Sequence, residues 1–461
     1  MKLILVATAS LSLGVFGFMA GCDEGEDFEL KESDGGAAAD GSVVDAAAKA
    51  DGSVSLTDGG AVDGGADANG DAQAKSPWVL VSVNGATSSE LVAMRINDGN
   101  VAGRLGYDGF IGLTTIDSTG RPFLLQQQID RVVELDPLEP WKARASWDVK
   151  LSDRADGGSS YADPVAIVPA TPGKAYVLRF NRNRIAVIDD TVKGDASAPI
   201  KTVDLTPFFD PTDTDTSVDP IAAAYVDGKI YVLLANLDLN NVDPKGYFTI
   251  CTTQKPKLVV LDPTTDTFQT AFAADAGAPA DAGPDGGDAG NSAVSVALQG
   301  FNPIFGGLVH DPSRHRLLVV HGGCNSQLGD GGKGPVERRQ VDAIDLTTGA
   351  VSKVLDLNAE GFPSAIVRSS SDELILGFDF YSARRWSVTS SSLGGALPDG
   401  LTAIAADGKG KAFGVVNTSF VDGGSAKELV EMPLDGGASR VLGVVPEAGG
   451  FVGAADYFAS P

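Results

Sequence analysis

The richest supply of reactive side chains lies in Asp210-Pro211-Thr212-Asp213-Thr214-Asp215-Thr216-Ser217-Val218-Asp219, where carboxylates and hydroxyls alternate. Oxygen donors at that spacing suit a hard cation, calcium above all, with Asp213, Asp215, Ser217 and Asp219 as the candidate ligands. Val218 stands where a calcium loop places a Gly for its sharp turn, so a solvated acidic loop is the competing reading. The sequence asks for no other cofactor. Its three histidines, His310, His315 and His321, lie close together but lack zinc-ligand spacing, and they read as turn and strand-end polar groups. No Gly-rich phosphate loop, nucleophile elbow or paired-carboxylate motif stands out, so no catalytic residue is assigned. A formal net charge of −26 over 461 residues argues against nucleic acid as a partner. Trp141, Trp147 and Trp386 offer faces on which a sugar could stack, against the alternative of packing inside the fold.

These side chains need a scaffold, and its unit is clearest from Asp163 to Leu205. Four short runs, Pro164 to Val168, Lys174 to Leu178, Arg184 to Asp189 and Ile200 to Leu205, are β-branched or aromatic and are separated by Gly, Pro and Asn. That is a four-stranded meander. One such sheet cannot bury both of its faces, so it requires copies on either side. The first run recurs at Asp108, Asp163, Asp219, Asn302, Phe362, Asp399 and Gly449. The second recurs from Trp78-Val79-Leu80-Val81 to Phe413-Gly414-Val415-Val416, and the third from Leu91–Ile96 to Leu429–Leu434. Each has seven copies, and several third runs end in an Asp that opens a turn, as in Asp262-Pro263-Thr264-Thr265.

Gly173-Lys174-Ala175-Tyr176-Val177-Leu178 followed by Ile185-Ala186-Val187-Ile188-Asp189 resembles the YVTN-type β-propeller repeat, and Asn181, Asn236 and Asn417 fall at or near that family's Asn. The resemblance implies an all-β fold, a seven-bladed β-propeller of four-stranded blades spanning residues 77–461. It brings no activity, because the family hosts unrelated functions. The order of the runs supports the same architecture. The first globular strand, Trp78 to Val83, matches the second run, and the chain ends on an extra first run at Gly449 to Phe458. The C-terminal strand is therefore expected to close the first blade, which removes exposed edges. A β-sandwich leaves that offset unexplained.

Ahead of the repeats, Met1 to Gly21 reads as a signal peptide with an apolar run from Leu3 to Met19. Met19-Ala20-Gly21-Cys22 resembles the bacterial lipobox, which implies cleavage before Cys22 and its acylation with chains such as palmitate. The expected location is the bacterial cell envelope, lipid-anchored to a membrane and either periplasmic or surface-exposed, with no means of choosing the leaflet. Residues 22–76 form an Asp/Gly/Ala-rich tether; from Asp23 to Ser76 it carries 14 acidic and 3 basic residues and too little apolar surface to order itself. A second low-complexity tract, 274–292, interrupts the repeats. If the run after it is an outer strand, the tract hangs from the face opposite the long loops.

In a four-stranded meander the connections between second and third strands share one face, here called upper, with the connections between blades. Long insertions at 150–162, 206–218, 236–256, 322–340 and 417–427 all fall on it, which suggests a binding face. Cys251 and Cys324 lie in two of these insertions, in successive blades, and an even pair in an oxidising envelope predicts a disulfide. Asp108, Asp163, Asp219, Asn302 and Asp399 open five of the first strands at the same face. They form either a polar ring at a channel mouth or a set of turn-making residues bonded to their own backbone. The functional expectation is a binding or scaffold module for a protein or glycan partner. A propeller enzyme of the envelope, lactonase-like or quinone-dependent dehydrogenase-like, is the alternative.

Overall fold

The computed structural model describes residues 77–458 apart from 85–88, 108–111, 117–119, 152, 154–160, 193, 242–248, 270–294, 327–334, 380, 419–425, 435–437 and 447–450. The residues read as a signal peptide and a tether, Cys22 among them, and also Asp108 and the tract 274–292, lie outside the described residues.

Regular structure among the described residues is all strand, save three 3-10 turns at Gln127–Ile129, Thr206–Phe208 and Pro312–Arg314. No helix among them is long and apolar enough to cross a membrane. The strands form seven antiparallel blades around a closed ring. Blade 1 joins Trp78–Asn84, Ser89–Arg95 and Val101–Tyr107 to Phe451–Phe458. Blade 2 is Gly112–Ile116, Pro122–Gln126, Arg131–Leu135 and Ala143–Asp148; blade 3 is Pro164–Thr171, Lys174–Arg179, Arg184–Ile188 and Lys201–Asp204. Blade 4 begins Pro220–Val226, Lys229–Leu234 and Lys257–Asp262; blade 5 is Pro303–Asp311, Arg316–His321, Gln340–Asp345 and Val351–Asp356. Blade 6 is Pro363–Arg368, Glu373–Phe378, Ser382–Ser387 and Ser392–Ala396; blade 7 is Leu401–Ala406, Lys411–Asn417, Lys427–Pro433 and Arg440–Val444.

Burial follows radius. The second strands of blades 3, 4 and 5 are buried at every position after the first, because neighbouring blades cover both faces and select unbroken apolar runs. Innermost strands meet around a narrow centre and use small residues, as in Ala222-Ala223-Ala224. At the rim, Val351–Asp356 and Ser392–Ala396 bury no residue fully. Trp147 and Trp386 are wholly buried between blades, and Trp147 Nε1 donates to the Asp189 carbonyl of the next blade at 3.0 Å. Trp141 packs edge-on against Trp78 with ring centroids 5.5 Å apart. The tryptophans thus serve packing.

The ring closes as the strand order implied: Phe451–Phe458 pairs with Trp78–Asn84 from Asn84↔Phe451 to Trp78↔Phe458. The Asp residues ending third strands also have a physical reason. Asp136, Asp189, Asp262 and Asp345 each accept, at 2.7–2.9 Å, the amide two residues on, from Leu138, Thr191, Thr264 and Thr347. Each carboxylate fixes the turn into the outer strand.

Two features depart from the simple repeat. Gly194–Ser197, in the connection before the outer strand of blade 3, pairs in parallel with the outer strand of blade 2 and covers its edge. The outer strand of blade 4 comes in two pieces, Thr267–Gln269 opposite Val260 to Asp262 and Ser295–Ala297 opposite Lys257 to Val259. Both run the same way along Lys257–Asp262. The outer strand of blade 4 is thus interrupted between Gln269 and Ser295, at mid-strand on the outer rim. The run after the low-complexity tract is an outer strand, as the sequence allowed, while the tract itself lies outside the described residues.

Candidate functional site

The residue before an innermost strand must turn the chain sharply from loop to blade. Asp163, Asp219 and Asn302 do so in the left-handed region, with φ of 52°, 48° and 53°, which Asp and Asn tolerate better than most residues. Each carbonyl then accepts an amide from the end of the second strand of the same blade: Phe180 to Asp163 at 2.9 Å, Ala235 to Asp219 at 2.9 Å and Gly322 to Asn302 at 2.7 Å. Their side chains turn the same way. Asp163 accepts from Asn181 Nδ2, Asp219 accepts the Leu237 amide at 2.9 Å, and Asn302 donates to Thr249 Oγ1 at 3.4 Å. Two of these partners are side chains and one, the Leu237 amide, is backbone; none belongs to the residue itself. Asp399 is exposed, and its neighbour Gly400 takes the positive φ of 81° instead.

Over blades 3 and 4 the acidic loop folds back on itself. The Asp215 amide donates to Asp213 at 3.1 Å, the Ser217 amide to Asp215 at 2.9 Å, and the Asp219 amide to Ser217 Oγ at 3.4 Å. Asn183 clamps one side, donating to the Thr216 carbonyl at 2.7 Å and accepting the Val218 amide at 2.9 Å. On the other side the loop engages residues 237–240. Leu239 N donates to Asp215 Oδ2 at 2.6 Å, and Thr214 Oγ1 donates to Asp238 Oδ1 at 2.8 Å. Asp213, Asp215 and Asp238 consequently each present an oxygen within 4.8 Å of the others. Asp238 takes the place expected for Ser217, whose hydroxyl is engaged by the Asp219 amide. Nothing near the acidic run in sequence marks Asp238, which reaches the cluster from another loop.

Among the described residues no Lys, Arg or His pairs with the cluster. Burial, followed by the neighbouring Asp215, pushes Asp213 up to about 7 and Asp219 well above its ordinary value. Burial also raises Asp215. Asp213 and Asp219 are 6% and 1% exposed, and Asp213 Oδ2 and Asp219 Oδ1 meet no donor.

The loops of blades 4 and 5 are fused beside it. Cys251 and Cys324 form a disulfide with Cα atoms 4.9 Å apart. Two backbone bonds flank it, Cys251 N to the Asn325 carbonyl at 3.0 Å and Asn325 N to the Thr249 carbonyl at 2.8 Å. Cys324–Asn325 also pairs with Val336–Glu337 in a small hairpin. Arg338 lies over the Phe301 ring, 5.6 Å from its centroid, and donates to the Thr252 carbonyl at 3.1 Å.

A second polar group sits between blades 2 and 3. Asp130 accepts the amides of Ala162 at 2.6 Å and Asp163 at 3.2 Å. Burial, followed by Asp130, pushes Asp163 from 3.8 up to about 7. Wholly buried Arg179 holds Asp153 with both terminal nitrogens, and so pins the inter-blade loop. The Tyr176-Val177-Leu178 run gave no sign of that role. The histidines do not converge: His315 lies 3.7 Å from Asp227 at the lower face, whereas buried His321 lies 3.1 Å from Asp342. A Cβ on Gly300 would stand 2.2 Å from the His321 ring, so only Gly fits there.

In sequence the chain matches no known family model and no curated protein. In structure it is similar to a putative 6-phosphogluconolactonase of Bacteroides fragilis, with TM-score 0.52 and 9% identity over 83% of this chain and 98% of that one. It is also similar to a putative 6-phosphogluconolactonase of Bacteroides uniformis, with TM-score 0.49, 8% identity and coverage of 83% and 99%. For apo AztD of Citrobacter koseri the values are 0.45, 10%, 84% and 99%. Likeness at these identities speaks for fold alone. The chain is a seven-bladed β-propeller.

Proposed function

We propose that this protein is a binding module of the bacterial envelope, held to a membrane by lipid on Cys22 and engaging its partner through the upper loops of blades 3, 4 and 5. One observation carries the reading: the Cys251–Cys324 bridge and its flanking backbone bonds tie together the upper loops of two successive blades. Loops ordered before binding lose less entropy on association, which is how a rigid scaffold presents a recognition surface. The YVTN-like repeat supports the scaffold but names no partner.

The test immobilises the full chain and measures retention of envelope components. Exposed Thr253 and Glu337 mark the upper platform, and exposed Thr347 marks the lower face. Thr253→Arg or Glu337→Arg should reduce retention of a specific component at least about 10-fold, a loss of about 1.4 kcal/mol, whereas Thr347→Arg should not. Equal retention by all three variants, or none by the wild type, sinks the reading. Anchoring is tested separately, since Cys22→Ser should move the protein from the membrane to the soluble fraction.

An enzyme is favoured by one other observation. Asp163, raised to about 7 beside Asp130, could take or give a proton near neutral pH. Turnover of lactones by the wild type and its loss in Asp163→Asn would favour that reading over the binding module.

A further inference from the structure

We infer that Asp213, Asp215 and Asp238, backed by Asp219, bind a calcium ion at the upper face. The donors are all carboxylate oxygens, with no nitrogen or sulfur to favour zinc or another soft metal. Two oxygens on opposite sides of a calcium ion stand about 4.6–5.2 Å apart, against about 4.0–4.2 Å around magnesium. Three oxygens lying within 4.8 Å of one another fall inside the span of the larger shell, whose geometry is also the more tolerant of the two.

The carboxylates are also already aimed. Asp215 is held through both oxygens by the amides of Ser217 and Leu239, and Asp238 is held by Thr214 Oγ1 and, at 3.2 Å, by the Asn240 amide. Amide and hydroxyl donors orient these groups but do not neutralise them. Among the described residues, no Lys, Arg or His forms an ion pair with any of the four acids. Instead, Asp213 Oδ2 and Asp219 Oδ1 are buried without a donor, which is costly unless something positive completes them. A cation would tie residues 213–219 to residues 237–240, the start of the insertion that carries Cys251. The site stands on this geometry and not on the partner reading, and it is tested with the metal alone.

Full chain stripped with EDTA is titrated with calcium chloride or magnesium chloride, following heat and melting temperature. The expected result is a single calcium equivalent with a Kd on the order of 10⁻⁴ M, and a rise of at least about 2 °C at 100-fold excess over Kd. Magnesium should give a smaller rise. In Asp213→Asn/Asp238→Asn, affinity should fall at least about 10-fold and the calcium-induced rise should vanish. In EDTA this variant should melt no lower than the wild type, because a repelling pair has been removed. The control Asp204→Asn/Asp227→Asn removes the same charge from exposed positions and should bind as the wild type does. Absence of calcium heat, undiminished binding in the first variant, or equal losses in both would overturn the site, the last by reducing it to bulk acidity.

Discussion

Cys251 and Cys324 stand 73 residues apart in the chain, and their disulfide joins the upper loops of blades 4 and 5. Closing so long a loop removes much freedom from the unfolded chain. Replacing both by Ser should cost about 2–4 kcal/mol of stability. Reductant should lower the wild-type melting temperature and leave the double variant unmoved. Hydrogen exchange should quicken around Thr249 to Thr252 and Gly323 to Asn325 while blades 1 and 7 stay protected. Identical melting with and without reductant would show that the bridge adds nothing.

Asp163 makes the fold sensitive to pH. Its carboxyl is raised from 3.8 to about 7, by burial first and Asp130 second, against the opposing pull of Arg182 and the Asn181 bond. A carboxyl raised on folding binds its proton more tightly in the folded state. Its favourable contribution is complete below about pH 4 and is lost as pH rises through about 7. Asn suits the same φ and still accepts from Asn181, so Asp163→Asn should be more stable than the wild type at pH 8. Melting temperatures measured from pH 5 to pH 8 should fall less steeply in the variant; parallel curves would refute the assignment.

Arg179 and Asp153 form a pair at 0% and 8% exposure. Arg179→Ala leaves the buried Asp153 carboxylate only Arg182, whose Nε stands 3.7 Å away, and should cost up to about 3–5 kcal/mol. Adding Asp153→Ala should recover part of that loss, with a coupling of about 0.5–3 kcal/mol. Chemical denaturation of the two single variants and the double variant checks this, and strictly additive losses would argue against the pair.

Deleting Phe451–Phe458 exposes the edge of Trp78–Asn84 and removes the innermost contacts joining blade 7 to blade 1. The shortened chain should lose its cooperative unfolding transition and associate through the freed edge. Calorimetry and light scattering report both effects. A monomer melting like the intact chain would mean that closure is dispensable.

The repeats were legible because a blade sheathed on both faces needs unbroken apolar strands, and Tyr176-Val177-Leu178 or Tyr231-Val232-Leu233 can hardly be anything else. Closure was legible for a related reason: a ring that begins on a second strand must end on a first. The two cysteines could be paired because successive blades place equivalent loops side by side. The second piece of the outer strand of blade 4, Ser295–Ala297, lies in the run after the tract that the sequence offered as an outer strand, but that the strand is split was not legible, since three-residue pieces carry too little pattern to register. The strand Gly194–Ser197 escaped as well, having only an edge of blade 2 to recommend it.

By itself, the sequence determined everything that repeats: strand type, blade number, ring closure and the face that carries the long loops. These follow from local burial imposed alike on every copy, and such periodicity survives in a one-dimensional string. The tertiary structure alone decided which unlike residues meet. Asp238 joins Asp213 and Asp215 across two loops, Arg179 finds Asp153 across two blades, and His321 settles against Asp342 and the bare backbone of Gly300. The first two meetings depend on how non-repeating loops cross above the ring, the third on the register of two neighbouring strands in blade 5. Burial and charge at one such crossing are set by partners far away in the chain, so no spacing in the sequence records them.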